Sequence, residues 1–384
     1  MEDNYENFDN NNNDNSNTNS TTSKLLLSLI SRINVSHTSD DDNEKLMFNC
    51  LLFASYSFII LVSLIGNLIV LRVIFGKQRS LTTTNILIAN LAVADLLMTV
   101  MNIPFNIARI LLDNWPFGQI LCVLVPLIQS ISVYCSSITM MFIAIERYKS
   151  LIYSTHITRG YCLGKCFPFG KILSIIWLSS ILLSVHNGVF NRIFIVKITK
   201  NSSLVRCRIE YPEPRIVWRQ TLTSLTFLTQ YLIPITITCI CYLKICWFIY
   251  RRKIVGQITE SHRSTLVRRK WRRIKMLIMV VLVFAICWLP FNVFHLLMDF
   301  YVIGYSYTLF FVNHWFAMSS VCYNPFIYCW LNNDFRNEFK SLFKCLTSGV
   351  QRMHSQSSDG NTIRMNTIVE RLDSNYEISE EHDI

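Results

Sequence analysis

The sequence predicts an all-α protein: a seven-transmembrane-helix bundle with a short amphipathic interfacial helix and disordered tails. Three observations predict it. Of the 384 residues, 51% are hydrophobic and only 16% charged, where soluble domains carry about 25% charged residues. Seven apolar stretches, at about 51–75, 83–111, 119–147, 172–190, 221–250, 274–298 and 307–331, are each long enough for a bilayer, which takes about 20 mostly apolar residues. Lysine and arginine concentrate in alternate loops, as a chain with one fixed orientation requires. The organisation that follows is a tail over 1–47, the bundle over 48–332, the interfacial helix over 333–346 and a second tail over 347–384.

The first tail is rich in Asn, Ser and Thr and carries Asp40, Asp41 and Asp42; such a composition cannot bury enough apolar surface to fold. It holds no apolar span near Met1, so no cleaved signal peptide is expected and the first helix serves as the insertion signal. The loop after the first helix carries Arg72, Lys77 and Arg79, and the loop after the third carries Lys149, Arg159, Lys165 and Lys171. The segment 251–275 holds ten basic residues against Glu260. These three loops are assigned to the cytosol. They read as attraction to an anionic inner leaflet, and nucleic-acid binding is set aside. The loop from Arg192 to Arg219 dissents, with seven basic and two acidic residues. It is placed outside with the amino terminus, as are the sequons at Asn19, Asn34 and Asn201, which are expected to be glycosylated.

Most of the thirteen cysteines lie inside apolar helices, as small hydrophobes do. Cys122, Cys207 and Cys50 are the ones placed toward the oxidising side; Cys122 and Cys207 are the expected pair, with Cys50 the alternative. Cys162 and Cys166 are read as free cytosolic thiols. After the seventh stretch, Phe335, Phe339, Leu342, Phe343 and Leu346 recur at helical spacing between Arg336, Lys340 and Lys344, the pattern of a helix lying in the lipid interface. Cys345 at its end is a candidate for palmitoylation. Serines and threonines of the last tail, such as Ser355 and Thr362, are candidate phosphorylation sites.

From Cys122 to Arg147 is 25 residues, about 37 Å of helix at ~1.5 Å per residue. Glu146 and Arg147 therefore sit at the inner boundary when Cys122 sits at the outer one. A lone arginine there would snorkel to headgroups; with Glu146 beside it, its guanidinium can be held until a cytosolic partner competes.

One signal per helix, in order, gives this pair its context: "GNLIV" with Asn67, "LAVADLL" with Asp95, "ERY" over Glu146, Arg147 and Tyr148, Trp177, Pro234 with Tyr242, "CWLP" with Trp288 and Pro290, and "NPFIY" with Asn324, Pro325 and Tyr328. On these motifs the chain resembles the rhodopsin-like class of G-protein-coupled receptors over about 48–345. The resemblance implies a cytosolic heterotrimeric G protein as partner, taken to be of the inhibitory type, with kinases and arrestin at the last tail. It implies that Trp288, beside Phe284, senses ligand and moves the sixth helix. It also implies that Asp95, Ser136 and Asn324 share an allosteric sodium ion; no other cofactor is expected. Asn67 is a further plausible partner of Asp95. Ser137 departs from the family, which has a branched aliphatic residue there.

Helical spacing sets Cys122, Gln129 and Ser136 nearly in line, two turns apart, so Gln129 faces the bundle about 10 Å below Cys122. Amine receptors of this class have an aspartate at that place; a neutral amide argues against a monoamine. Trp288, His295 and Asp299 share a face, and Gln230, His314 and Asp113 complete a polar ring. With "DNWPFG" and "CRIEYPE", this ring resembles the neuropeptide Y and neuropeptide F receptor branch. That branch recognises peptides ending in an arginine and an amidated aromatic residue. The resemblance implies that Asp299 pairs the ligand arginine and Gln129 bonds the amidated end. The alternatives are another amidated-peptide receptor, tachykinin-like or RYamide-like, and a transporter, which the lack of inverted repeats disfavours. The sequence contains no P-loop, GxSxG or HExxH motif, so an enzyme is not expected.

Overall fold

The computed structural model describes residues 20–76, 82–112, 114–153, 169–197, 203–255, 260–331, 335–337 and 339–341. The chain divides into two compact units, residues 1–55 and 56–384. The first holds the opening part of helix α1, Ser20–Phe75. An irregular tail was expected over 1–47. Residues 1–19 lie outside the described set, but from Ser20 the backbone is helical. The run "KLLLSLISRI" supplies strong helix formers that the polar composition around it conceals.

The second unit is the bundle. The stretch expected as one helix over 83–111 forms two, α2 (Thr83–Met101) and α3 (Ile103–Leu112). They break at Asn102 because Pro104, in the next turn, has no N–H to continue the ladder. Thr82 caps α2, accepting from the Asn85 N–H at 3.3 Å. Helix α4, Gly118–Tyr153, starts at Gly118, whose φ of +76° suits only glycine without strain. It is the central strut, packed on α2, on α5 (Phe169–Val189) and on α7 (Ile233–Val255). Asn90 links three of these helices: it accepts from Trp177 Nε1 at 2.9 Å and donates to Thr139 Oγ1 at 2.9 Å.

The basic loop between the fourth and fifth spans is a hairpin rather than an irregular loop. Strands β1 (Asn191–Lys197) and β2 (Ser203–Ile209) pair antiparallel with Ile193 opposite Cys207. Next come α6 (Arg215–Thr226), a π-helical segment (Phe227–Leu232) and α7 (Ile233–Val255). Pro234 cannot donate to the carbonyl four residues back, and the wider π turn directly before it absorbs the mismatch. It buries Gln230 and Tyr231. Helix α8 runs Glu260–Asp299 and α9 Tyr307–Leu331. The basic segment 251–275 is therefore largely helical, with residues 256–259 outside the described set.

Six of these stretches among the described residues are long and apolar enough to cross a membrane. The seventh expected span, α9, is helical over 25 residues but carries Asn313, His314, Ser319, Ser320 and Asn324, which lower its hydropathy. These polar groups are accommodated by burial: His314, Ser319 and Asn324 face the interior, whereas Phe326 and Trp330 point outward. The same sorting holds on α5 and α7, where Leu178, Leu182 and Leu243 are exposed, as helices in hydrocarbon require. Of the expected interfacial helix, residues 335–337 and 339–341 are described and helical. Phe335 packs on Tyr328 at 5.7 Å, and Arg336 caps the end of α9 by donating to the carbonyls of Cys329 and Trp330.

Candidate functional site

Cys122 and Cys207 form the disulfide expected of them, with Cα atoms 5.7 Å apart, while Cys50 is a free thiol. Beside this bond opens a chamber of about 1180 Å³ lined by Gln129, Gln230, Trp288, His295, Asp299 and His314. Five residues of the expected ring thus meet around one cavity with Trp288 as its floor; Asp113 lies outside the described residues. Gln129 makes no side-chain hydrogen bond with any described residue, so its amide is available to a ligand. Gln230 Nε2 points at the Ser130 carbonyl at 3.4 Å. His314 is clamped between the Tyr56 hydroxyl, 2.7 Å from Nδ1, and Asn102 Nδ2, 3.5 Å from Nε2. It stacks on Phe310. This buried histidine is a wall of the chamber rather than a free polar contact.

Asp299 is also not free. Arg219 Nε donates to Asp299 Oδ1 at 2.6 Å, the Thr223 hydroxyl donates to Oδ2, and the carboxylate side chain is only 7% exposed. The Arg219 guanidinium lies over the Tyr301 ring at 5.4 Å. Burial pushes the nearby Tyr211 phenol up to about 12, and the Asp299 charge adds to this. Arg219 and Thr223 were not among the expected site residues, although a signal existed: Arg215, Arg219 and Thr223 recur every four residues and so share one helical face.

A second, much smaller cavity, of about 10 Å³, lies under Trp288 and is lined by Asp95, Ser136, Ser320 and Asn324 among others. That is room for one water-sized particle. Asp95 is 5% exposed and accepts from Asn324 Nδ2 at 2.8 Å, while the Ser136 hydroxyl is buried without a partner. A buried carboxylate and an unsatisfied hydroxyl around one void fit a small hard cation, which prefers oxygen donors. The Asn67 amide donates to the carbonyls of Ser63 and Val321 at 3.0 and 3.1 Å, and its Oδ1 is buried without a partner. Trp288 lines both cavities and donates from Nε1 to Ser320 Oγ at 3.1 Å, so the floor of the chamber is the roof of the Asp95 site. Phe284 lies against it at 5.9 Å. Ser137, the departure from the family pattern, directs its hydroxyl to the Tyr134 carbonyl at 3.1 Å.

At the opposite end of α4, Arg147 Nε stands 3.6 Å from Glu146 Oε2, too far for a hydrogen bond, and is buried without a partner. Glu146 accepts instead from Thr84 Oγ1 at 2.8 Å. Tyr242 is buried with its hydroxyl unpaired, and Tyr148 lies under Lys244 at 5.7 Å. This end therefore holds a loosely tied guanidinium and an unsatisfied phenol.

The 7 transmembrane receptor (rhodopsin family) model matches residues 66–328. The chain belongs to the rhodopsin family of seven-transmembrane receptors. It is a multi-pass membrane receptor, not an enzyme. It is 33% identical over 323 residues to the neuropeptide Y receptor type 2 of Mus musculus, covering 83% of this chain and 82% of that protein. It is 32% identical over 295 residues to the tachykinin-like peptides receptor 99D of Drosophila melanogaster, covering 75% of this chain and 56% of that protein. The RYamide receptor of Tribolium castaneum is 30% identical over 295 residues, covering 75% of this chain and 78% of that receptor. All three are named as receptors for peptides. The sequons at Asn19 and Asn201, Cys345 and the final tail lie outside the described residues, as do Cys162 and Cys166; Asn34 falls within α1, where its side chain is not described.

Proposed function

We propose that this receptor is switched by a C-terminally amidated peptide of the neuropeptide Y/F kind and relays the event to a cytosolic heterotrimeric G protein of the inhibitory type. The observation that carries the reading is the chamber's chemistry. A carboxylate that already takes a guanidinium, Asp299, stands on the wall of the cavity that also presents the unpartnered amide of Gln129. A peptide ending in arginine and an amidated aromatic residue brings both complements. Its guanidinium exchanges for Arg219 on Asp299, since arginine and carboxylate form paired, charge-assisted bonds. Its terminal amide bonds to Gln129, and its aromatic ring rests near Trp288 and Phe291. The neuropeptide Y receptor relatives support the ligand class.

In this reading the disulfide end and the amino terminus face outward, and the Arg147 end faces the cytosol. Pressure on Trp288 is felt at Ser320 and in the Asp95 cavity below it. A sodium ion held by Asp95, Ser136 and Asn324 would supply a positive charge that favours the resting arrangement. Pro290 leaves a carbonyl of α8 unpaired and so provides a bend about which the Arg147 end can open. Arg147, held at only 3.6 Å by Glu146, is then available to the G protein, and the unpaired Tyr242 hydroxyl can receive a new partner. Kinases and arrestin would act on the final tail, and a palmitoyl group on Cys345 would hold the interfacial helix in lipid.

A second reading, another amidated peptide of RYamide or tachykinin-like type, is favoured by the relatives of those names. A panel of amidated peptides applied to cells expressing the chain, read by G-protein activation, decides between them. Activation by neuropeptide Y/F-type amides at lower concentration than by RYamide-type or tachykinin-like amides, and not by their free acids, is the expected result; a preference for either of the latter two would replace the first reading with the second.

A further inference from the structure

Among the described residues, two arginines that line the chamber have no carboxylate partner. Arg109, Arg206, Arg208, Arg215 and Arg219 line it against Glu210 and Asp299. Arg219 is matched by Asp299 at 2.6 Å and Arg215 by Glu213 at 2.8 Å. Arg109 and Arg208 form no ion pair among the described residues. Arg206 and Arg208 are both near enough for their charges to act on Arg109.

Local structure explains why these cations are held together. Arg206 and Arg208 flank Cys207 on β2, and residues two apart on a strand share a face at a spacing of about 7 Å. Cys207 is tied to α4 by the disulfide. The preceding residue, Val205, is pinned to the turn after α3: its N–H donates to Asn114 Oδ1 at 2.8 Å, and its carbonyl accepts from the Trp115 N–H at 2.9 Å. That turn follows the helix on which Arg109 sits. The backbone of this wall is therefore fixed, which keeps the like-charged side chains rooted close together. Confined guanidiniums of this kind favour a bound anion, and their planar fork suits a carboxylate.

We propose that Arg109 and Arg208 form a second ligand subsite, which binds an aspartate or glutamate side chain of the peptide upstream of its amidated end. The inference rests on the amidated-peptide reading above. The subsite and Asp299 lie on walls of one continuous cavity, so a single peptide meets both. The preferred ligand is accordingly bipolar: a cation exchanges at Asp299 while an anion docks on the basic wall. A strongly basic hairpin at the mouth of a receptor for a cationic peptide end is then a selectivity device, since a peptide lacking the acid meets only repulsion there.

The test uses a synthetic peptide ending in Arg-Tyr-amide, with asparagine at every upstream polar position, and a series in which one aspartate is walked along that upstream segment. The full-length receptor is expressed in cells, its surface level is measured with an epitope tag, and G-protein activation is the readout. At one or two adjacent positions aspartate should raise potency about tenfold over asparagine, the size expected of a partly desolvated charge pair. The gain should vanish in Arg109→Gln and in Arg208→Gln, each at normal surface level. In Arg208→Glu, lysine should become the preferred residue at that position. Equal potency at every position overturns the inference, as does a gain that persists in both glutamine variants. A rise in potency of the all-asparagine peptide on removal of residues 1–42 would show that the chain's own acidic tail fills the wall, and also overturns it. Failure of the all-asparagine peptide to activate defeats the amidated-peptide reading and this inference with it; activation without any positional gain defeats the inference alone.

Discussion

Asp299 shows how one side chain can be both occupied and available. Its carboxylate is 7% exposed and held by Arg219 and Thr223, so a ligand guanidinium gains only the difference between its own contact and the one it displaces. Truncating one member of a close charge pair costs roughly 2–5 kcal/mol, but that displacement lowers the net loss for the ligand. Asp299→Ala should therefore reduce the potency of an arginine-containing amidated peptide by about tenfold, the equivalent of ~1.4 kcal/mol. Replacing the peptide's arginine with citrulline should cost about the same, and the two changes together little more. Arg219→Gln removes the internal competitor and should raise potency by a few-fold, because a site that is occupied part of the time binds in proportion to its free fraction. In the Asp299→Ala background the same change should do nothing. Dose–response curves for the four receptors and two peptides measure all of this. Additive losses from Asp299→Ala and citrulline would mean that the two groups never meet.

Among the elements, the tightest constraint lies between α1 and α9. A Cβ added to Gly66 would sit 2.7 Å from Pro325 Cγ and 3.0 Å from its Cβ. The proline ring has no rotamer by which to yield. The opening residue of the "GNLIV" motif and the proline of "NPFIY" are thus two sides of one contact, though they lie on the first and last helices of the bundle. Gly66→Ala gains up to about 1 kcal/mol of helix propensity, yet overpacking costs about 1–3 kcal/mol, and the clash should win. The purified receptor should lose a few degrees of melting temperature with alanine and more with valine, measured by thermal shift in detergent. A variant as stable as the parent would show that α9 can move aside. The same helix illustrates why hydropathy undercounted: His314 is polar along the sequence but satisfied by Tyr56 and Asn102 in space.

Across the whole molecule, two polar cavities and a loose guanidinium lie along one axis. Trp288 separates the chamber from the Asp95 void, and Arg147 waits at the far end with its Nε unsatisfied. Arg147→Ala leaves the chamber untouched, so peptide binding should remain within about threefold of the parent, as for a change that shares no partner with the site. G-protein activation should fall by at least about tenfold. Radioligand binding and nucleotide exchange on the same membranes separate the two; full exchange by the variant would reduce Arg147 to a boundary anchor. By itself the sequence determined where the apolar segments lie, Cys122 and Cys207 as the expected disulfide pair and the placement of Gln129, His295 and Asp299 toward one interior. Those features depend on apolar length, helical period and local motif, which are properties of neighbours along the chain. Only the tertiary structure decided that Asp299 is already held by Arg219, eighty positions away, that the basic loop is a hairpin with Arg206 and Arg208 on the wall that Arg109 also lines, and that Asn67 gives its amide N–H groups to Ser63 and Val321. Each of these is a choice of partner between distant residues, and a charge or an amide can satisfy itself with any complement that packing brings within about 3 Å.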